Sequence, residues 1–240
     1  MTTRKQLYQI TIHRILLPGI LILTISCGQS TLEYTPEDLG KSFFPLSIGD
    51  YREYQIYQIQ YELFGNHDTL EYFLKEHVAD TFINQTGGIT YRLNRYVRPE
   101  DSDSWEIDSI WTAIESSTNV VVHENNTPYV KMIFPVVDMK EWDGNAFNIL
   151  EEELYRFEDV FKPFVVNGEA FGSTVRVIQE YNPDSIVMTD IRNEIYAENV
   201  GLIYKESFIL HYCTENECLG MKIIEGGRVY IQELIGYGKE

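Results

Sequence analysis

The cysteines are the residues of this sequence whose spacing points most directly to chemistry. Cys213 and Cys218 are separated by the polar residues 214–217 and lie between strand-like runs. A short polar loop would place them opposite each other across a hairpin, at a distance that a disulfide can span. The spacing therefore predicts a disulfide, with free thiols as the second interpretation. A metal pair is the third, because two cysteines without a second Cys or His pair supply only half of a zinc site.

The third cysteine, Cys27, follows an apolar run near the N-terminus. Residues 15–25 carry no charge, and Arg4, Lys5 and Arg14 precede them. A basic start before a short apolar segment is typical of a secretory signal peptide. As a helix this run would span only ~16 Å, too little for a hydrocarbon core of ~30 Å, which argues against a transmembrane anchor.

The position of Cys27 makes this segment resemble a bacterial lipoprotein signal, in which the cysteine after the cleavage site is acylated. Thr24 stands where leucine is usual in that motif, so secretion without an acyl anchor is the alternative. We predict a signal peptide over residues 1–26, acylation of Cys27 by fatty acids such as palmitate, and a flexible tether over residues 27–42. The folded domain would then cover residues 43–240.

The charge of the chain limits its partners. The sequence has 19 Lys and Arg residues against 37 Asp and Glu residues, a net charge of −18. Removal of residues 1–26, which contain three basic and no acidic residues, leaves a mature net charge of −21. Such a chain is repelled by nucleic-acid phosphates and anionic lipid head groups, so we expect no nucleic-acid partner. Membrane attachment would depend on the acyl chains.

No set of polar side chains forms a catalytic motif. His67, His77, His123 and His211 are isolated in sequence and are interpreted as solvated surface residues. No serine lies in a Gly-x-Ser-x-Gly turn. With 37 acidic residues, a carboxylate pair for glycoside hydrolysis cannot be chosen from sequence. We therefore predict no catalytic residue, no cofactor and no metal site.

One polar segment is the remaining binding candidate. The loop Asp138–Asn145 has oxygen ligands and a glycine turn, but it lacks the residue spacing of a calcium loop. Trp142 lies in this loop and is the tryptophan most available for ligand binding, for example by stacking on a sugar. Trp105 and Trp111 share the inward phase of a strand and are interpreted as core residues.

The rest of the sequence is dominated by strand signals. Alternating runs rich in β-branched and aromatic residues predict half-buried strands, and short turn-forming clusters between them favour antiparallel pairing. Only Asn148–Phe157 is compatible with a short helix. The strand-like runs are residues 51–61, 71–83, 89–97, 105–111, 120–122, 129–137, 175–181, 186–196, 202–213 and 229–237.

These runs predict an all-β protein with a single antiparallel domain of about nine to eleven strands and one short helical insertion. Many consecutive hairpins curl, so we expect a curved half-barrel or a closed barrel, similar to lipoprotein carriers or lipocalins.

Two phrases resemble a family of small lipoproteins from Bacteroidetes-type bacteria. Phe43–Tyr51 is similar to the FPL-x-x-G opening of these proteins. Tyr196–Glu206 is similar to a late YA-x-x-VGL-x-x-x-E phrase, with Asn199 where glycine is usual. The resemblance implies an exported, lipid-anchored β protein. The family is mostly without an assigned function, so no site residues follow from it.

Taken together, these patterns lead us to expect a lipoprotein of the bacterial cell envelope with a non-catalytic binding or assembly role. The partner would be an apolar ligand or another envelope protein. The absence of an acidic cluster after Cys27 favours an outer-membrane anchor that faces the periplasm. A glycan-binding accessory protein, with Trp142 as the contact, is the alternative, and a carboxylate-dependent hydrolase is the third hypothesis.

Overall fold

The computed structural model describes residues 39–62, 66–183 and 185–240. In these ranges the chain forms twelve β-strands and one 3₁₀ turn, Lys41–Phe43. Cys27 and the predicted signal peptide lie outside them. The strands are β1 (Asp50–Tyr61), β2 (His67–Ile83), β3 (Ile89–Arg98), β4 (Glu106–Glu115), β5 (Asn119–Glu124), β6 (Thr127–Ile133), β7 (Glu141–Asp143), β8 (Leu154–Val166), β9 (Glu169–Asn182), β10 (Met188–Ala197), β11 (Gly201–Tyr212) and β12 (Ile224–Lys239).

All twelve strands belong to one antiparallel sheet, in the order β6-β5-β4-β3-β2-β1-β12-β11-β10-β9-β8-β7. The sheet curls until its two edge strands meet. There the Val130 amide donates to the Gly144 carbonyl at 2.9 Å, and the Trp142 indole N–H donates to the Val130 carbonyl at 2.8 Å. The result is a nearly closed barrel. Among the described residues, no helix is long and apolar enough to cross a membrane.

The prediction of a single all-β antiparallel barrel is confirmed, with twelve strands instead of about nine to eleven. The two strands without a predicted run are β7 and β8. The short helix expected at Asn148–Phe157 is wrong, because β8 begins at Leu154. Tyr155 and Phe157 are buried there while Arg156 between them is not, which is the alternation of a strand.

The segment before β1 packs against the barrel. Phe43 is fully buried in a core that also contains Val78, Leu93 and Phe157. The Leu39 carbonyl accepts a hydrogen bond from the backbone of the segment after β6 at 3.0 Å. Residues 39–42 fall in the predicted tether, but in the structure they contact the sheet and cover part of its apolar core.

Candidate functional site

The barrel interior contains a cavity of about 500 Å³ with a charged wall. Six of its lining side chains are cationic and four are carboxylates, although the chain as a whole has a net charge of −18. Positive charge is thus concentrated inside an acidic protein. The cations are Arg52, Arg95, Lys131, Arg192, Lys205 and Arg228, and the carboxylates are Glu76, Glu124, Glu153 and Glu194.

The register of the sheet sets these charges side by side. Arg52 in β1 is paired with Glu76 in β2, which is paired with Arg95 in β3. In another part of the sheet, Glu194 in β10 is paired with Lys205 in β11. Residues directly opposite each other on neighbouring strands point to the same face, so each set projects from one face into the cavity.

Lys131, Glu194 and Lys205 form the centre of a buried ion network. Lys131 Nζ lies 2.6 Å from Glu194 Oε1 and 3.2 Å from Glu124 Oε1. Lys205 Nζ lies 2.9 Å from the same Glu194 oxygen, and the Tyr196 hydroxyl donates to Glu194 Oε2 at 2.6 Å. The Glu194 carboxylate is only 1% exposed, and three donors satisfy it.

The network keeps its members charged. Burial raises the pKa of Glu194, but the nearby Lys131 and Lys205 outweigh it and hold that pKa well below 4.5. The pKa of Glu124 is lowered in the same way. Burial lowers the pKa of Lys131, but Glu124 and Glu194 raise it well above 10.5. A glycosidase needs a general acid with a raised pKa, so neither carboxyl group is suited to that role.

Arg95 is a largely buried cation of the wall whose pairing is incomplete. Its guanidinium lies 3.7 Å from the centroid of the Trp111 ring. Its Nε is buried without a hydrogen-bond partner in the described ranges, and Glu76 Oε2 is 3.9 Å away. The other oxygen of Glu76 lies 3.2 Å from Arg52. The Trp111 indole N–H is likewise buried and unpaired within the part of the chain described. Two unsatisfied donors therefore lie at the cavity wall.

A second cavity of about 530 Å³ adjoins the first. Arg95, Arg228 and Tyr230 line both, so they mark the junction. Burial raises the pKa of Tyr72 and of Tyr230, and both arginines partly oppose the shift in each case. The two guanidinium groups are thus close enough to act on the same two hydroxyl groups.

Trp142, the predicted ligand contact, lies in the core and not in an exposed loop. Its side chain packs against Phe157 and Tyr155, with ring centroids 4.5 and 5.9 Å away. It is 8% exposed, and its indole N–H is used at the barrel seam. A sugar could not stack on it. The tryptophan that faces a cavity is Trp111, which the sequence assigned to the core.

The structure joins Cys213 and Cys218 by a disulfide, with their Cα atoms 5.8 Å apart. The local geometry differs from the expected pairing across a hairpin. Cys213 directly follows β11, whereas Cys218 lies within the loop that precedes β12. The Cys213 amide donates to the Ile223 carbonyl at 2.8 Å, and this bond closes the loop.

In the loop Asp138–Asn145, the side chains of Asp143 and Asn145 are used in internal hydrogen bonds. Asp143 Oδ1 accepts bonds from the amides of Asn145 and Glu153 at 2.8 and 3.1 Å. Over the described ranges, no three His, Cys, Asp or Glu side chains are grouped as metal ligands. His67 and His211 are exposed, but His123 has a buried Nδ1 without a hydrogen-bond partner among those residues.

The sequence contained one signal for the cavity wall. Arg95 lies between Leu93 and Val97 on the alternate positions that were predicted to face inward. Glu194 similarly shares its strand phase with Tyr196. A charge on the apolar phase of a strand indicates a polar interior, because a lone buried charge is costly unless it is paired or bound.

No protein-family profile matches the chain, and no curated protein matches it significantly. Two solved structures are similar. One is a "putative exported protein with YmcC-like fold" from Bacteroides fragilis NCTC 9343, 14% identical, with a TM-score of 0.42 over 82% of this chain and 99% of that chain. The other is a "putative lipoprotein" from Parabacteroides distasonis ATCC 8503, 12% identical, with a TM-score of 0.35 over 82% and 98%. Similarity at this level assigns neither a function nor a site to this chain.

Proposed function

We propose that this chain is an exported, acyl-anchored protein of the bacterial cell envelope that binds a small ligand inside its barrel without catalysing a reaction. The anchor proposal rests on the signal-like segment that ends before Cys27 and on the lipoprotein-like phrases at Phe43–Tyr51 and Tyr196–Glu206. An outer-membrane position facing the periplasm is part of the proposal, supported by the lack of acidic residues directly after Cys27.

The observation that carries the binding proposal is the unfilled barrel interior. The diameter of a barrel grows with its number of strands, and a barrel of twelve strands is wide enough to enclose a ligand cavity. A cavity of about 500 Å³ is in the range of ligand pockets. Its wall is held in place by the buried Lys131–Glu194–Lys205 network, so the pocket is preorganised.

The lining favours an amphipathic ligand over a wholly apolar one. An apolar molecule would leave the buried donors of Arg95 and Trp111 without partners. Leu93, Leu202 and Ile209 give the same cavity apolar surface. A molecule with one polar and one apolar portion would satisfy both kinds of wall.

Binding without chemistry is supported by the state of the reactive groups. The Glu194 carboxylate is fixed by three donors, and Cys213 and Cys218 are joined to each other. The glycan-binding hypothesis loses its contact residue because Trp142 is buried.

Calorimetry on the full acylated chain in phosphatidylcholine nanodiscs tests the proposal. Hexyl phosphate, hexanoate, hexyl glucoside and hexyltrimethylammonium are titrated, and empty nanodiscs measure partitioning into lipid. We expect saturable binding of at least one probe. Ser207 lines the cavity and is buried, so Ser207→Phe should abolish that binding by filling the pocket. Ser102→Phe, at an exposed loop position, is the matched control.

The proposal would be overturned if none of the four probes bound saturably. It would also be overturned if a Ser207→Phe protein with an unchanged circular dichroism spectrum bound the probe as well as the wild type does.

A further inference from the structure

Most cations of the cavity wall are already neutralised by carboxylates. Arg192 Nη1 lies 2.6 Å from Glu153 Oε1, and the two lysines of the network share Glu194. Arg52 contacts Glu76 at 3.2 Å. These charges therefore have partners within the protein.

Arg95 and Arg228 differ from the rest. The nearest carboxylate oxygen to Arg95 is that of Glu76 at 3.9 Å, and its side chain is only 14% exposed. Arg228 is exposed, and it forms no ion pair and no side-chain hydrogen bond with the residues that the structure describes. Both arginines stand at the junction where the two cavities meet.

We infer that this junction is an anion-binding site, in which Arg95, Arg228 and the Trp111 indole N–H hold a carboxylate or phosphate group of the ligand. The inference rests on the proposed function and names the chemistry of its ligand. A bound anion would give partners to Arg95 Nε and Trp111 Nε1, both of which are buried without a hydrogen-bond partner among the described residues.

The Trp111 ring orients Arg95 for this role. A guanidinium carries its five donors in its own plane, so a ring stacked on one face leaves them free to bond at the edge. The 3.7 Å separation from the ring centroid corresponds to such stacking. Arg228 similarly lies near an aromatic ring, 5.8 Å from the centroid of Tyr230.

Two acidic side chains line the second cavity, Glu71 and Asp108. Both are exposed, and neither forms an ion pair with Arg95 or Arg228. Asp108 contributes to raising the pKa of Tyr72, so its charge acts at the junction and opposes that of the exposed Arg228. The charge of Arg95 is largely buried, so solvent screens it less than it screens the exposed carboxylates. Because neither carboxylate pairs with the arginines, the guanidinium donors stay available to an anion.

The surroundings indicate that the anion is carried on an apolar group. Leu74 and Val97 are paired in register on β2 and β3, and both line the second cavity beside Arg95. A lipid-like molecule would place its head group at the arginines and its chain along these residues. A free phosphate would use the arginines alone.

The nanodisc titration distinguishes these ligands. We expect hexyl phosphate or hexanoate to bind about tenfold or more tightly than hexyl glucoside, and hexyltrimethylammonium to bind weakest. Arg95→Gln and Arg228→Gln should each weaken anion binding by about tenfold and leave hexyl glucoside unchanged. Hexyl phosphate binding well above that of inorganic phosphate supports a lipid-like anion, and equal affinities support a free anion.

Arg92→Gln is the matched control. Arg92 lies on the same strand as Arg95 but lines neither cavity, and it pairs with Asp80. It should leave all affinities unchanged. Arg95→Lys keeps the positive charge and should retain part of the anion binding, which tests the site even if Arg95→Gln impairs folding.

Distinct results overturn the two proposals. If hexyl glucoside binds as tightly as hexyl phosphate, and Arg228→Gln changes neither, the anion site is wrong while binding inside the barrel stands. If no probe binds saturably, both proposals are wrong.

Discussion

Glu194 holds distant parts of the barrel together through charge. It lies on β10, and its partners Lys205 and Lys131 lie on β11 and β6. β6 is at one edge of the sheet, and across the seam three strands, β9, β8 and β7, separate it from β10. A buried ion pair is favourable only when its geometry and its other hydrogen bonds are complete, as they are here. The network therefore fixes the width of the cavity.

Replacing the Glu194 carboxylate should destabilise the fold strongly. Glu194→Gln keeps the shape but leaves Lys205 without its carboxylate partner and Lys131 with Glu124 alone, so we expect a loss of about 3 kcal/mol in the free energy of unfolding. Urea denaturation at neutral pH measures it. Glu158→Gln is the control, because Glu158 pairs with Arg156 at the half-exposed surface and should lose no more than about 1 kcal/mol. Equal losses for the two variants would contradict this account.

The same carboxylate should make stability fall in acid. Its pKa is lower in the folded protein than the ordinary value of 4.5, so the unfolded chain binds the proton more readily. The stabilisation is complete above pH 4.5 and decreases as the pH falls toward the folded-state pKa. Urea denaturation at several pH values should show that the difference in unfolding free energy between wild type and Glu194→Gln becomes smaller below pH 4.5. A difference that became larger in acid would contradict a lowered pKa of Glu194 in the folded protein.

The residues of the cavity wall could be predicted only in part. Alternation placed Leu93 and Val97 on the inward face, and Arg95 between them follows directly from the period of two. Its stacking on Trp111 could not be predicted, because it depends on the register between β3 and β4. Trp142 was mistaken for an exposed residue because its neighbours in sequence are polar, whereas its burial results from contacts across the seam.

The seam between β6 and β7 is the element on which closure of the barrel depends. β7 has only three residues, and its pairing with β8 brings Trp142 opposite Tyr155. Gly144 follows it, and a side chain there would overlap the ring of Tyr155. The glycine allows the close approach that lets its carbonyl accept the Val130 amide.

Gly144→Ala should therefore open the seam. The new methyl group must displace a packed ring, and we expect a loss of about 1–3 kcal/mol in unfolding free energy. Hydrogen exchange at the Val130 amide should also become faster. Gly172→Ala is the control, because no atom lies within 4 Å of a Cβ at that position. Unchanged exchange at Val130 in a folded Gly144→Ala protein would contradict the closure role.

β8 illustrates why one strand was predicted as a helix. Its first residues alternate, but register shifts follow at Glu158 and Lys162. Asp159 and Phe161 have φ angles of 53° and 59°, a conformation that non-glycine residues rarely adopt. Such irregularities break the period of two in the sequence, so only the partner strand β9 reveals that the segment is extended. In the described ranges, no other strand contains a non-glycine residue with a positive φ angle.

At the scale of the whole molecule, the net charge of the protein cannot provide its attachment to a membrane. The mature chain predicted from the sequence has a net charge of −21 and would be repelled by anionic lipid surfaces. Of the six cavity cations, five are buried or half-buried and Arg228 is exposed, so they offset little of this charge at the surface. Each methylene of an acyl chain that is buried in the membrane strengthens attachment by about 0.8 kcal/mol. A single chain gives only weak, reversible attachment, so stable attachment needs more than one. The proposed location therefore depends on Cys27.

Cys27→Ser tests that dependence. A serine cannot carry the thioether-linked lipid, so the variant should lose all label when cells expressing the full chain are grown with an alkyne analogue of palmitate. It should also migrate as the larger, uncleaved precursor, since cleavage of a lipoprotein signal requires the modified cysteine. The control is a double variant, Cys213→Ser with Cys218→Ser, which removes the disulfide and should keep the label. Palmitate label that persists in Cys27→Ser, or is lost only in the double variant, would show that the anchor is not at Cys27.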